Sequence, residues 1–123
     1  MIGAALYTVW GLLHLMAAVS VYRLATSFDP GMVQGRLYQS AWNLLFFAVF
    51  AIVVAVFFNR NNTRTGYWLN LVVVSVTDIG FIAFVMMPGY LPVWPGVLGP
   101  FFWVAGAVVT TLARRQESHD APR

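Results

Sequence analysis

Four long apolar runs dominate the chain: Ile2 to Tyr22, Leu37 to Phe58, Gly66 to Met87 and Pro95 to Leu112. Across all of them Asp78 is the only Asp, Glu, Lys or Arg. Each run is close to the roughly 20 residues a helix needs to cross about 30 Å of hydrocarbon. Open strands would leave backbone groups unpaired in lipid, so all four read as helices. Composition agrees, with 60% of the 123 residues hydrophobic and 9% charged, against about 45–50% and about 25% in soluble domains. A water-soluble fold is excluded, and four spans leave no room for a second domain.

The connections are Arg23 to Arg36, containing the turn-forming Ser27-Phe28-Asp29-Pro30-Gly31, then Asn59 to Thr65, then Pro88 to Trp94. Links this short make sequential helices antiparallel neighbours. The expected fold is an all-α integral membrane protein, an antiparallel four-transmembrane-helix up-down bundle over residues 1–113, with a polar, fraying tail at 114–123. Pro88, Gly89, Pro92, Pro95 and Gly96 crowd the last connection, which predicts a rigid, non-helical segment able to roof a pocket.

The net charge of +3 comes with scattered arginines and no lysine. Arg60, Arg64, Arg114, Arg115 and Arg123 fall on one side of the expected bundle, and Arg23 and Arg36 on the other. That asymmetry is a topology signal rather than a nucleic-acid footprint, and it places both termini in the cytoplasm. The Ala-, Val-, Gly- and Arg-rich composition points to a bacterial inner membrane. Tyr67, Trp68, Tyr90 and Trp94 fit interfacial aromatic belts. The first run lacks a positive leading region and is too long for a signal peptide, so it reads as an uncleaved helix. The Asn61-Asn62-Thr63 sequon falls on the cytoplasmic side and is expected to go unused.

Most positions in the spans are aliphatic or Phe; the exceptions are His14, Gln39, Asn43, Asn70 and Asp78. A carboxylate near the bilayer centre costs about 2.5–3.5 kcal/mol, so Asp78 needs a partner or a wet cavity. Counted from the outer ends of their spans at 1.5 Å per residue, His14, Asn43 and Asp78 lie roughly 9 to 14 Å deep and form one layer. Helical spacing groups Gly3, Tyr7, Trp10, His14 and Ala17 or Ala18 on one face, and Gln39, Asn43, Phe46, Phe47 and Phe50 on another. It also groups Asn70, Val74, Thr77, Asp78 and Phe81, and then Gly99, Trp103, Gly106 and Thr110. Stripes mixing small, aromatic and polar residues are expected to face inward in a membrane bundle. Gln39, Asn43 and Asn70 read first as interhelical cement, and the aromatics as packing.

Absences narrow the chemistry. No Cys occurs, so disulfide and thiolate chemistry are excluded. One intramembrane His cannot supply two haem ligands, and no paired spacing offers a metal cage. No Lys means no Schiff base, and no glycine-rich phosphate loop occurs. Neither cofactor nor metal is expected, and His119, Glu117 and Asp120 belong to the solvated tail.

Three functions fit. The favoured one is a small membrane protein that binds, and transforms by isomerisation or hydration, a lipophilic molecule. Asp78 would act as acid or base, His14 as proton partner and Asn43 as hydrogen-bond donor to developing charge. Tyr7, Trp10, Gln39, Trp42, Phe46 and Trp103 would line the site. The second is a proton-coupled transporter acting as a homodimer. In size and span count the chain resembles the small multidrug-resistance exporters, which pair a membrane acid with aromatics; they carry a Glu in the first span, where this chain has His14. The third is an accessory subunit of a membrane complex, docked through a small-residue seam near Gly99, Gly106 and Ala105 to Ala107.

Overall fold

The structure, a computed structural model, describes residues 1–120 apart from the side chains of residues 117, 118 and 120. Arg123 and the side chains of Glu117 and Asp120 lie outside the described residues. Among those described, regular structure is entirely helical: α1 (Ile2–Thr26), α2 (Met32–Phe57), α3 (Arg64–Phe81), a short α4 (Val93–Gly96) and α5 (Leu98–Asp120). Three helical stretches, Ile2–Thr26, Met32–Asn61 and Arg64–Met86, are long and apolar enough to cross a membrane.

The first connection is shorter than the sequence predicts, because both helices run on past their apolar runs. Arg23 and Arg36 are helical, and only Ser27 to Gly31 turn. Pro30 and Gly31 break the helix, and Gln34 holds the corner by donating to the carbonyls of Ala25 (3.2 Å) and Phe28 (2.8 Å). The second connection is a 3-10 turn over Asn59–Asn61, followed by Asn62 in the left-handed region at φ 52°, which Asn tolerates. Thr63 then caps α3, its Oγ1 accepting from the Gly66 amide at 3.1 Å.

α3 ends in a π-helical turn, Ile82–Met86, where the Met87 amide reaches the Ile82 carbonyl at 2.8 Å. No sequence signal marked this widening, which lies just ahead of Pro88. The proline-rich connection is not a continuous helix. Gly89 takes φ +76°, α4 is broken at Trp94, and Leu91 folds back to Gly96 beside Phe81. α5 starts at Leu98 and continues through Arg114 and Arg115 into the tail.

Neighbouring helices are antiparallel. Along α1 and α5, Gly3 meets Thr110, Tyr7 meets Gly106 and His14 meets Gly99. Tyr67 pairs with Thr111 and Ser75 with Trp103 across α3 and α5. Asn70 donates to the Ala51 carbonyl across α2 and α3 at 3.2 Å. At that corner the buried Asn59 side chain lies against the carbonyls of Val54 and Gly66, to which its amide donates at 3.2 and 3.0 Å with its nitrogen and oxygen exchanged.

The α1–α2 seam is built from small residues at a seven-residue repeat. Ala4, Gly11, Ala18 and Ala25 are buried on α1, and Ala41, Ala48 and Ala55 on α2. A strict heptad of small residues lets two helices approach closely at a shallow crossing angle. At Gly11 a Cβ would stand 2.5 Å from Ile52 Cγ1 and 2.9 Å from the Ala48 carbonyl, so only glycine fits there. α1 spends a second face on α3 and α5, where Tyr7 and Trp10 are fully buried. It is the hub of the bundle, with a larger share of its apolar stretch buried than in Met32–Asn61 or Arg64–Met86.

Candidate functional site

That second face of α1 builds the polar centre. Trp10 and His14 are one turn apart, so their rings stack, with centroids 3.7 Å apart and planes at 24°. On α3, Gly66, Asn70, Val74 and Asp78 recur every fourth residue and form the buried stripe. Asp78 ends that stripe with no exposed surface, directly against α1. Gly99 on α5 closes the third side; a Cβ there would lie 3.3 Å from His14 Cε1 and 3.5 Å from Asp78 Oδ1.

Trp10 Nε1 donates to Asp78 Oδ2 at 2.6 Å. His14 Nδ1 lies 2.9 Å from the Trp10 carbonyl. A carbonyl only accepts, so Nδ1 carries a hydrogen. His14 Nε2 faces Asp78 Oδ1 at 3.8 Å, and Oδ1, although buried, has no hydrogen-bond partner. An imidazole lone pair facing a carboxylate is repulsive. The pair can carry one proton, either on Nε2 opposite a carboxylate or on Oδ1 opposite a neutral ring. The centre is therefore an acid facing an imidazole at 3.8 Å, with the acid anchored by Trp10.

Of the residues named from sequence, His14, Asp78, Trp10 and Tyr7 come together. Trp103 is half-buried on α5 and donates to Ser75 Oγ at 2.8 Å, one turn from Asp78 along α3. Asn43 does not join them; it is exposed. So are Gln39, which accepts from Arg36 at 2.8 Å, Trp42 at 69% and Phe46 at 58%. The polar layer of three is thus a pair, and the α2 stripe faces out. Ala41, Ala48 and Ala55 take the inward face of α2, and Asn43 lies about 120–160° around the helix from them. The alanine heptad, legible in the sequence, was the signal that could have set α2's orientation.

The centre is close-packed. A groove of about 550 Å³ lies elsewhere, between the ends of α1 and α2 near their connection, where Ala18, Tyr22, Tyr38, Ala41 and Trp42 line it. Ala18 is one helical turn from His14. Among the described residues no three His, Cys, Asp or Glu side chains gather as a metal site. Arg114, at the opposite end, donates to the Asn62 carbonyl at 3.1 Å and sits 5.7 Å over the Tyr67 ring. It thereby joins the two arginine-bearing segments. Comparison with family profiles, with curated proteins and with solved structures finds no match.

Proposed function

We propose that the chain spans a bacterial inner membrane four times, both termini cytoplasmic, and works as a proton-coupled carrier of a lipophilic small molecule. His14 and Asp78 hold the coupled proton. The fourth span is α5, whose apolar stretch Leu98 to Ala113 is about 24 Å long and lies along the same part of α1 that the other helices cover. Arg114 and Arg115 would snorkel to the interface. Orientation rests on Arg60, Arg64, Arg114 and Arg115 sharing one end of the bundle while Arg23 and Arg36 take the other.

One observation carries the functional reading: a buried intramembrane acid, Asp78, turns an unpaired oxygen towards His14 Nε2 at 3.8 Å. Asn70 Oδ1 and the Tyr7 hydroxyl are also buried without partners, but Asp78 Oδ1 belongs to an acid and faces an imidazole nitrogen. An intramembrane acid kept in this state fits proton binding. Isomerisation or hydration would need a substrate atom within hydrogen-bond reach of Asp78. His14 and the Gly99 backbone occupy that space, and Asn43, the expected donor to developing charge, faces away. A carrier needs only that gaining or losing the proton favours a different contact between α1, α3 and α5. The aromatic groove, one turn from His14, is the place for the carried molecule.

Infrared pH-difference spectra of the protein in lipid test the proton directly. A titrating carboxyl band should be present in the parent and lost in Asp78→Asn. Vesicles loaded with a pH dye should show proton flux on addition of tetraphenylphosphonium, lost in the same variant. A parent spectrum with no titrating buried carboxyl sinks the reading.

A further inference from the structure

The outward stripe of α2 is anomalous for a surface in contact with lipid. Gln39, Asn43, Phe46 and Phe50 follow one another at four, three and four residues, so they form one row. Asn43 is seven residues beyond Arg36 along the helix, about 10 Å deeper than that interfacial charge. Its side chain is exposed. Hydrocarbon offers an amide no hydrogen bonds, and leaving it unpaired costs free energy. Beside it the Phe46 ring packs on Phe47 and Phe50, with centroids 5.7 and 6.2 Å apart. These contacts make a firm aromatic ridge directly below the amide.

We infer that this row is the contact surface for a second copy of the chain, with the two Asn43 side chains hydrogen-bonded to each other across a two-fold axis normal to the membrane. A carboxamide is self-complementary: it carries an N–H donor and a C=O acceptor, so two copies at one depth satisfy each other. Equal depth requires both copies to have the same orientation, which the one-sided arginine distribution demands. A two-fold contact is isologous, so the Phe46 ridges flank the amide pair symmetrically. Arg36 accompanies the row at its outer end, where it donates to Gln39 and is exposed to water rather than held in lipid. The surface is separate from the His14–Asp78 centre, so the pairing stands or falls independently of proton coupling.

The absence of cysteine makes the test direct. One introduced thiol can cross-link only to the same position in another copy. In membranes under mild oxidation, Phe46→Cys should give a disulfide dimer, whereas Val76→Cys, 68% exposed on α3, should stay monomeric. Energy transfer between labelled full-length chains, followed on lipid dilution, should show Asn43→Leu dimers dissociating about three- to twentyfold more readily, the range for one interhelical polar bond. Asn43→Gln should restore association. The proposal is overturned by cross-linking at Val76 and not at Phe46, or by unchanged association in Asn43→Leu. Transfer absent from the parent chain at every lipid dilution overturns it equally.

Discussion

Two helix faces in this molecule carry the same kind of pattern and have opposite fates. On α1, Tyr7, Trp10 and His14 mix aromatic and polar groups and are buried against α3 and α5; on α2, Gln39, Asn43 and Phe46 do the same and face outward. What separates them lies on the other side of each helix. α1 has its alanine and glycine heptad about 60° from Tyr7, Trp10 and His14, so both faces fit within one buried arc. On α2 the heptad is nearly opposite Asn43, and once it docks on Gly11 and Ala18 the amide must point away. In a membrane, aromatic and polar side chains do not compete for the interior by hydrophobicity, because lipid is as apolar as the core. Close backbone approach decides which face turns in.

The strongest way to break this comparison is to block that approach. Gly11→Leu places a branched side chain where even a Cβ would clash with Ile52 and the Ala48 carbonyl. It should destabilise the bundle by about 2–3 kcal/mol. Gly35→Leu, at a helical glycine where an added Cβ would meet open space, should leave the unfolding midpoint in lipid unchanged or raised by helix propensity. Equal losses at both positions would remove the heptad as the organising contact.

Next in size is the anchoring of Asp78. Trp10→Phe keeps the ring and deletes the donor that reaches Oδ2 at 2.6 Å, leaving the carboxyl without its hydrogen bond, at a cost of about 1–3 kcal/mol. Most of that cost should disappear when Asp78 is already Leu. The coupling in such a double-mutant cycle should be at least about 1 kcal/mol. A cycle with no coupling would mean that the indole serves only as packing.

Gly99→Ala sharpens the same face. The added methyl would stand 3.3 Å from His14 Cε1, so the ring must give by a few tenths of an ångström, and in ordinary contact with Asp78 Oδ1 at 3.5 Å. A loss of about 1 kcal/mol is expected, together with a displaced titration of the infrared carboxyl band. Gly80→Ala, with open space around it, should be neutral or gain up to about 1 kcal/mol from helix propensity.

Much of this was legible in the sequence, and its limits have a physical pattern. The all-helical character and the three long apolar helices Ile2–Thr26, Met32–Asn61 and Arg64–Met86 followed from apolar runs and turn residues. The meeting of His14 with Asp78 followed from antiparallel packing and depth, because counting residues along a helix is insensitive to which way it is rotated. Rotation was harder. A wheel built on polarity placed Tyr7, Trp10 and His14 correctly but turned α2 by about half a revolution, since its small residues received no weight. Trp10 was read as wall rather than as the donor to Asp78, because an indole N–H has no spacing signature until the opposite helix is placed. The π turn at Ile82–Met86 carried no signal beyond the nearby Pro88.

The smallest expected effect separates the two intramembrane asparagines that sequence alone treats alike. Asn70 is buried and donates to the Ala51 carbonyl at 3.2 Å, so Asn70→Leu, close in volume, removes a bond between α2 and α3. Such bonds average about 0.6 kcal/mol in membrane proteins and reach about 1.7, and the unfolding midpoint should fall accordingly. Asn43 is exposed within a single copy, so Asn43→Leu should change the stability of isolated chains by less than about 0.5 kcal/mol. The measurement is made at one chain per lipid nanodisc, where association cannot contribute. A loss at Asn43 matching that at Asn70 would mean that the amide has a partner within its own bundle. In that case α2 would be rotated from its present setting, and the distinction between an inward face and an outward one would collapse.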